Sequence, residues 1–196
     1  MGRIYSIGHS AHSFEELLRL LTSNRIDVVV DSRSAPYSKF APQFDREAIQ
    51  RDLMQSGIKY LFLGSELGGR PNNASYYDAR GHVLYGRITK DPAFLSGIAR
   101  LERGMESFRV ALMCGEEDPA NCHRRLLVGR VLAERGHEIM HIRGNGHVET
   151  DAEVAAASGK NLVNEQPALF AELDEDQWRS TASVSPKKVP ASFSAH

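Results

Sequence analysis

Residues 113–127 read MCGEEDPANCHRRLL and hold both cysteines of the chain, Cys114 and Cys122. Glu116, Glu117, Asp118, His123, Arg124 and Arg125 lie between or just after them. Three chemistries compete for such a set. Cys114, Cys122 and His123, with His9 and His141 elsewhere, are competent metal ligands. Yet the spacing of the cysteines matches no zinc finger or knuckle. On a helix, the neighbouring side chains of Cys122 and His123 would also point about 100° apart. The residues alone assign no metal, and a divalent ion loosely held by Asp31 and Glu116 is a separate option. Thiol chemistry is the second candidate. A cysteine near a helix start beside histidine and arginine gains thiolate character. Cys122 fits that description better than Cys114, so it is expected to alkylate first. The phosphatase loop, a cysteine followed by a short glycine-rich cradle and an arginine, is missing, and free cysteines also pack as small hydrophobes.

Anion recognition is the reading these residues favour. Arg33, Arg70 and Arg124 are planar forks suited to phosphate or carboxylate. Gly64, Gly68 and Gly69 would let backbone approach a ligand closely. Asp31 and Glu116, ionised beside arginines, suit a general base, and His9 or His123 would supply the proton. The cofactor is left unknown. Tyr37, Tyr76 and Tyr77 fall in loops where they could stack on a base or sugar.

The elements that would position these groups alternate. Apolar, β-branched runs at 4–7, 26–31, 59–64, 109–114 and 138–142 predict five strands. Helices are predicted at 13–21, opened by a Ser13–Glu16 capping box with Phe14, Leu17, Leu18 and Leu21 on one face. Others follow at 45–57, at 91–104, where Asp91 caps and Pro92 occupies the first turn, and at 118–136. Such alternation implies a mostly parallel sheet with helices on both faces, a three-layer, Rossmann-like α/β architecture. In that class ligands bind beyond the carboxyl ends of the strands. Here those ends carry His9 and Ser10, Asp31 and Arg33, the run from Gly64 to Arg70, Cys114 and Glu116, and His141. Helical spacing also turns His123 and Arg124 inward. An arginine that opposes the helix dipole needs an acidic partner or a bound anion. Arg124→Lys is therefore expected to weaken ligand binding while barely touching stability.

The strings IYSIGHS, VVVDSRSAPYSKF, GIKYLFLGSELGGR and ALMCGEEDPANCHRRLL, followed by HI, resemble the family catalogued as domain of unknown function 488. The resemblance covers about residues 3–143. It implies an α/β fold and a site, but no established reaction. Its motif positions fall on His9, Asp31, Arg33, Pro36, Ser38, Gly64, Gly68, Gly69, Arg70, Cys114, Glu116, Cys122, His123, Arg124 and His141.

The 196 residues suit one domain, here 1–179. The Ser/Pro/Lys-rich stretch 180–196 reads as a disordered tail, so truncation after Arg179 should leave the melting temperature nearly unchanged. Segments 149–157 and 167–178 have weak helical patterns. A net charge of −1 argues for no nucleic-acid surface, and no apolar run is long enough to span a bilayer. Two cysteines are too few for a disulfide framework, which suggests reduced thiols in the cytoplasm. The expectation is an enzyme that hydrolyses, or transfers a group from, a small phosphorylated or nucleotide-like ligand. A non-catalytic nucleotide or nucleic-acid binding module is one alternative. A Cys/His redox or metal sensor is the other.

Overall fold

The computed structural model describes residues 2–159 and 177–184. Five parallel strands form where the β-branched runs lie: β1 (Arg3–Gly8), β2 (Val28–Asp31), β3 (Lys59–Phe62), β4 (Val110–Cys114) and β5 (Glu138–Ile142). A sixth, β6 (Val148–Thr150), was not foreseen; three residues are too few to show a period. It pairs antiparallel with β5 at the edge, giving the order β3-β2-β4-β1-β5-β6. The sheet is thus α/β and mostly parallel.

Alternation along the strands sorts the core into two clusters. Val28, Val30, Val110, Leu112 and Ile139 point one way, with Phe94, Ile98 and Leu101 of helix α5 (Pro92–Met105) and with Leu127, Val128, Val131 and Leu132. Val29, Ala111, Met113 and Ile142 point the other way. There they meet Leu17, Leu20 and Leu21 of α1 (Phe14–Ser23) and Ile49 and Leu53 of α2 (Arg46–Gln55). Each fully buried side chain of this kind contributes roughly 1.5–3 kcal/mol. Leu20, not Leu18, completes the buried face of α1.

The helix starts follow their capping residues with two exceptions. Ser13 accepts from the Glu16 amide, but the Glu16 carboxylate turns to Arg19 at 2.6 Å, so only half of the capping box forms. Asp45 makes no side-chain cap on α2 and instead accepts from the Ser38 amide at 2.8 Å, pinning the loop before the helix. Asp91 caps α5 as its sequence requires. The connection from β3 to α5, expected as one long loop, holds two short helices, α3 (Gly64–Leu67) and α4 (Tyr85–Ile88).

The region 118–136 is not one helix. Asp118 and Pro119 open a 3₁₀ turn, Pro119–Asn121, that ends at Cys122 in extended conformation (φ −96°, ψ 141°). A π-helical segment, Arg124–Gly129, follows and runs into α6 (Arg130–Glu134). The last described helix, α7 (Asp151–Ser158), starts with a complete Thr150–Glu153 capping box, as the weak pattern there allowed. The predicted helix at 167–178 and the tail beyond 184 lie outside the described residues, apart from 177 and 178.

The boundary placed after Arg179 is corrected. Arg179 bridges Leu84, and Ser180 is 7% exposed. Ser180 exchanges hydrogen bonds with Val83: its amide donates to the Val83 carbonyl and its Oγ accepts from the Val83 amide, both at 2.9 Å. The Val184 amide donates to Gly81. Trp178 donates from Nε1 to the Leu126 carbonyl and lies edge-on to Tyr85. A serine-rich stretch can dock by hydrogen bonding where it lacks apolar surface to bury. Truncation after Arg179 is accordingly expected to cost about 2 kcal/mol, or roughly 4–8 °C in melting temperature for a chain of this size. An unchanged transition in differential scanning calorimetry would sink that expectation.

Candidate functional site

The central strands end level with one another. Gly8 is in register with Cys114, and Asp31 with Met113. Pairing continues one residue further, from the His9 amide to Cys114 and from the Ser32 amide to Met113. Gly8 permits this end to be sealed: a Cβ there would lie 1.8 Å from the Glu116 carbonyl oxygen. Above these ends opens a cleft of about 410 Å³. His9, Arg33, Ser38, Gly69, Arg70, Cys114, Glu116, Cys122 and His123 line it, so nine of the expected residues converge.

Cys114, Cys122 and His123 form one centre in its lining. The His123 Nδ1 lies 3.6 Å from Cys114 Sγ and 3.8 Å from Cys122 Sγ. Its Nε2 faces the Ser32 carbonyl at 3.0 Å. A carbonyl only accepts, so Nε2 carries a proton, and Nδ1 is the nitrogen that faces the sulfurs. Gly69 lies against the ring, since a Cβ there would approach His123 Cγ to 2.5 Å. The backbone of Cys122 is extended rather than helical, and its sulfur lies 3.8 Å from the His123 Nδ1. The cysteines also reverse the expected order. The hydrogen bond from Cys122, helped by His123, holds the Cys114 thiol well below its ordinary value. Burial, then the hydrogen bond to Cys114, pushes Cys122 up. Burial opposes a charge on His123, but the neighbouring Cys114 raises it nonetheless. Of the two thiols, it is Cys114 whose pKa is lowered, and both are buried.

Asp31 and Arg33 form a closed pair. Asp31 is fully buried and accepts four hydrogen bonds: from the amide, Nε and one terminal nitrogen of Arg33, and from Tyr60 Oη at 2.7 Å. Four fills the capacity of a carboxylate. Asp31 is therefore withdrawn as a base. Arg33 also donates to the Phe44 carbonyl and to His9 Nε2 at 3.0 Å, so its fork is not free to clamp an anion. His9 Nδ1 faces the Ser10 carbonyl, which fixes the neutral tautomer. Burial, and then the Arg33 charge, lowers its pKa to about 4. His9 is thus a neutral imidazole rather than an imidazolium at neutral pH.

Arg124 does turn inward, at 1% exposure, but lines no part of the cleft. Its terminal nitrogens donate to the Glu116 and Glu117 carbonyls, and its Nε to Ser6 Oγ at 3.3 Å. It ties down the strand-end loop, in place of the acidic partner or anion that was expected. Ser6 continues to His141 Nδ1 at 2.7 Å, and His141 Nε2 to Asp151 at 3.1 Å. Arg125, overlooked in the sequence, closes the chain on Asp151 at 2.6 Å. This serine–histidine–aspartate order invites comparison with a hydrolytic triad. Ser6 is 1% exposed and does not line this cleft, and the chain ties α7 to the sheet.

Among the three expected arginine clamps, only Arg70 is an exposed guanidinium at the cleft. Its backbone amide donates to Ser34 Oγ. Glu116 is exposed at the same rim. Gly64 and Gly68 serve packing within the protein: a Cβ on Gly64 would strike the Arg33 carbonyl at 2.1 Å, and one on Gly68 the Gly64 carbonyl at 2.3 Å. Ser10 adopts a left-handed backbone (φ 48°) beside Gly115 but lies outside the lining. Tyr37 lines the cleft as expected; Tyr76 and Tyr77 instead bond Asp91 and the Pro71 carbonyl. Sequence reasoning missed Tyr85 and the wall made by Ser180, Thr181, Ala182 and Val184. Burial keeps the Tyr85 hydroxyl protonated by raising its pKa.

The family description "Domain of unknown function DUF488" matches residues 13–131, which include β2 to β4, both cysteines and His123. Comparison with curated proteins and with solved structures returned no match. No described helix is long and apolar enough to cross a membrane.

Proposed function

The chain belongs to the DUF488 family, and we propose that it is an enzyme that hydrolyses, or transfers a group from, a small phosphorylated or nucleotide-like ligand held in the strand-end cleft. The observation that carries this reading is the convergence of Cys114, Cys122 and His123 in the lining of a cleft with Arg70 at its rim. A nucleophile or ligand set, a histidine oriented by a carbonyl, and a cation beside them are the parts of an active centre. A volume of about 410 Å³ suits a ligand of nucleotide size. The fold is read as three-layer and Rossmann-like, in which this edge is the usual ligand site. A reducing cytoplasm fits two free thiols.

Roles follow from position. Arg70 binds the anionic group as an exposed fork. Tyr85 donates a hydrogen bond from the wall, and Glu116 accepts a proton at the mouth. The bond-making step belongs to the sulfur–imidazole centre. A panel of nucleotides and phosphate esters tests the reading. Wild-type protein should turn over at least one class. His123→Ala should lower kcat by about 100-fold or more. Arg70→Met should chiefly raise KM, by an amount on the order of 1–3 kcal/mol. Ligand binding without turnover of any class would favour the non-catalytic module, and neither binding nor turnover would sink both.

A further inference from the structure

We propose that Cys114 Sγ, Cys122 Sγ and His123 Nδ1 form a three-ligand site for a thiophilic divalent cation, zinc above all, with a fourth position open to the cleft. The inference rests on the cleft being the active site and names the chemistry at its centre.

Geometry is the first support. Zinc binds sulfur at about 2.3 Å and imidazole nitrogen at about 2.05 Å, with tetrahedral angles. Those values place each sulfur about 3.6 Å from the nitrogen and the two sulfurs about 3.8 Å apart. Here the sulfur–nitrogen separations are 3.6 and 3.8 Å. All three donor atoms lie within 4.8 Å of one another. The two sulfur–nitrogen separations thus match a tetrahedral ion to within tenths of an ångström, and the two sulfurs lie within 4.8 Å of each other.

The surroundings are the second support. A metal-bound histidine needs its other nitrogen held, and His123 Nε2 donates to the buried Ser32 at 3.0 Å. Gly69 packs close against the ring, where any larger residue would strike the imidazole. Two thiolates and one neutral imidazole balance a dication. Three protein ligands with one position facing a cleft is the arrangement of catalytic rather than structural zinc, whose fourth position takes a water or a substrate oxygen. The same set is the only such group among the described residues. The cysteine spacing still matches no zinc finger, but the argument that Cys122 and His123 point about 100° apart assumed a helix through Cys122, and its extended backbone removes that assumption.

Cobalt is the probe, because its thiolate complexes absorb where the apoprotein does not. Reduced, chelator-treated wild-type protein titrated with Co²⁺ should develop a thiolate-to-cobalt charge-transfer band that saturates at one ion per chain. Zn²⁺ should displace it. Cys122→Ser and His123→Ala, each checked for folding by circular dichroism, should weaken binding at least 100-fold. Protection offers a readout on wild-type protein alone: one equivalent of Zn²⁺ should slow the reaction of both thiols with a disulfide reagent. A folded, reduced wild type that gives no band and no protection overturns the site, as does a band that survives Cys122→Ser. Turnover by protein that binds no ion would remove the metal and keep the enzyme. Stoichiometric metal without turnover would keep the site and remove the enzyme.

Discussion

Asp31→Asn is expected to destabilise the protein by about 3–5 kcal/mol, the loss seen when one partner of a buried ion pair is removed. Asp31 has no exposed surface, and Arg33 beside it is 8% exposed. The substitution strands the Arg33 charge in the protein. It also turns an amide nitrogen towards the donors of Arg33 or Tyr60. Urea unfolding without ligand measures the effect, and Tyr60→Phe, which removes one hydrogen bond, should cost only about 1 kcal/mol. A loss below 1 kcal/mol in Asp31→Asn would mean that the carboxylate is spare, and would restore it as a candidate base.

Arg124→Met should be nearly as damaging, at about 2–4 kcal/mol, because it leaves the Glu116 and Glu117 carbonyls and Ser6 without their donor. Arg124→Lys keeps the charge but lacks the fork that spans two carbonyls, so roughly half of that loss should remain. The sequence suggested the opposite, with the damage falling on ligand binding. Thermal unfolding of both variants in the absence of ligand separates the cases. Wild-type stability in Arg124→Met would show the guanidinium to be dispensable for folding and available to an anion.

Strands were readable because β-branched runs buried on two faces have little else to become, and Val28–Val30 are such a run. Strand ends followed, and with them nine residues of the cleft. What failed were inferences that needed local backbone detail. Asp-Pro signals a helix start but not its kind, and here it opens a turn that stops at Cys122. The following π-helical segment has a spacing that a 3.6-residue period cannot detect. Asp31 was expected beside arginines, but not closed on Arg33 two residues away in extended chain, a pairing that occupies both. The wall from Ser180 to Val184 left no trace in hydrophobic pattern because backbone and hydroxyl groups dock it.

The place of β1 has a consequence for how this protein is made. Its two neighbours in the sheet are β4 and β5, and Arg3 meets Glu138 across 135 positions of chain. At synthesis rates of about 5–20 residues per second, β1 is translated several seconds before β4 and longer before β5. β2 and β3 can pair early; β1 cannot. Until β4 and β5 emerge, an apolar strand has both edges unpaired, which is the condition that recruits chaperones or invites association between nascent chains. Such pairing of distant segments also predicts slow refolding in the test tube. The cleft is later still, because Ser180 to Val184 must arrive before its wall exists. A ribosome-bound chain arrested before that segment would carry both cysteines and His123 beside a cleft that lacks this wall.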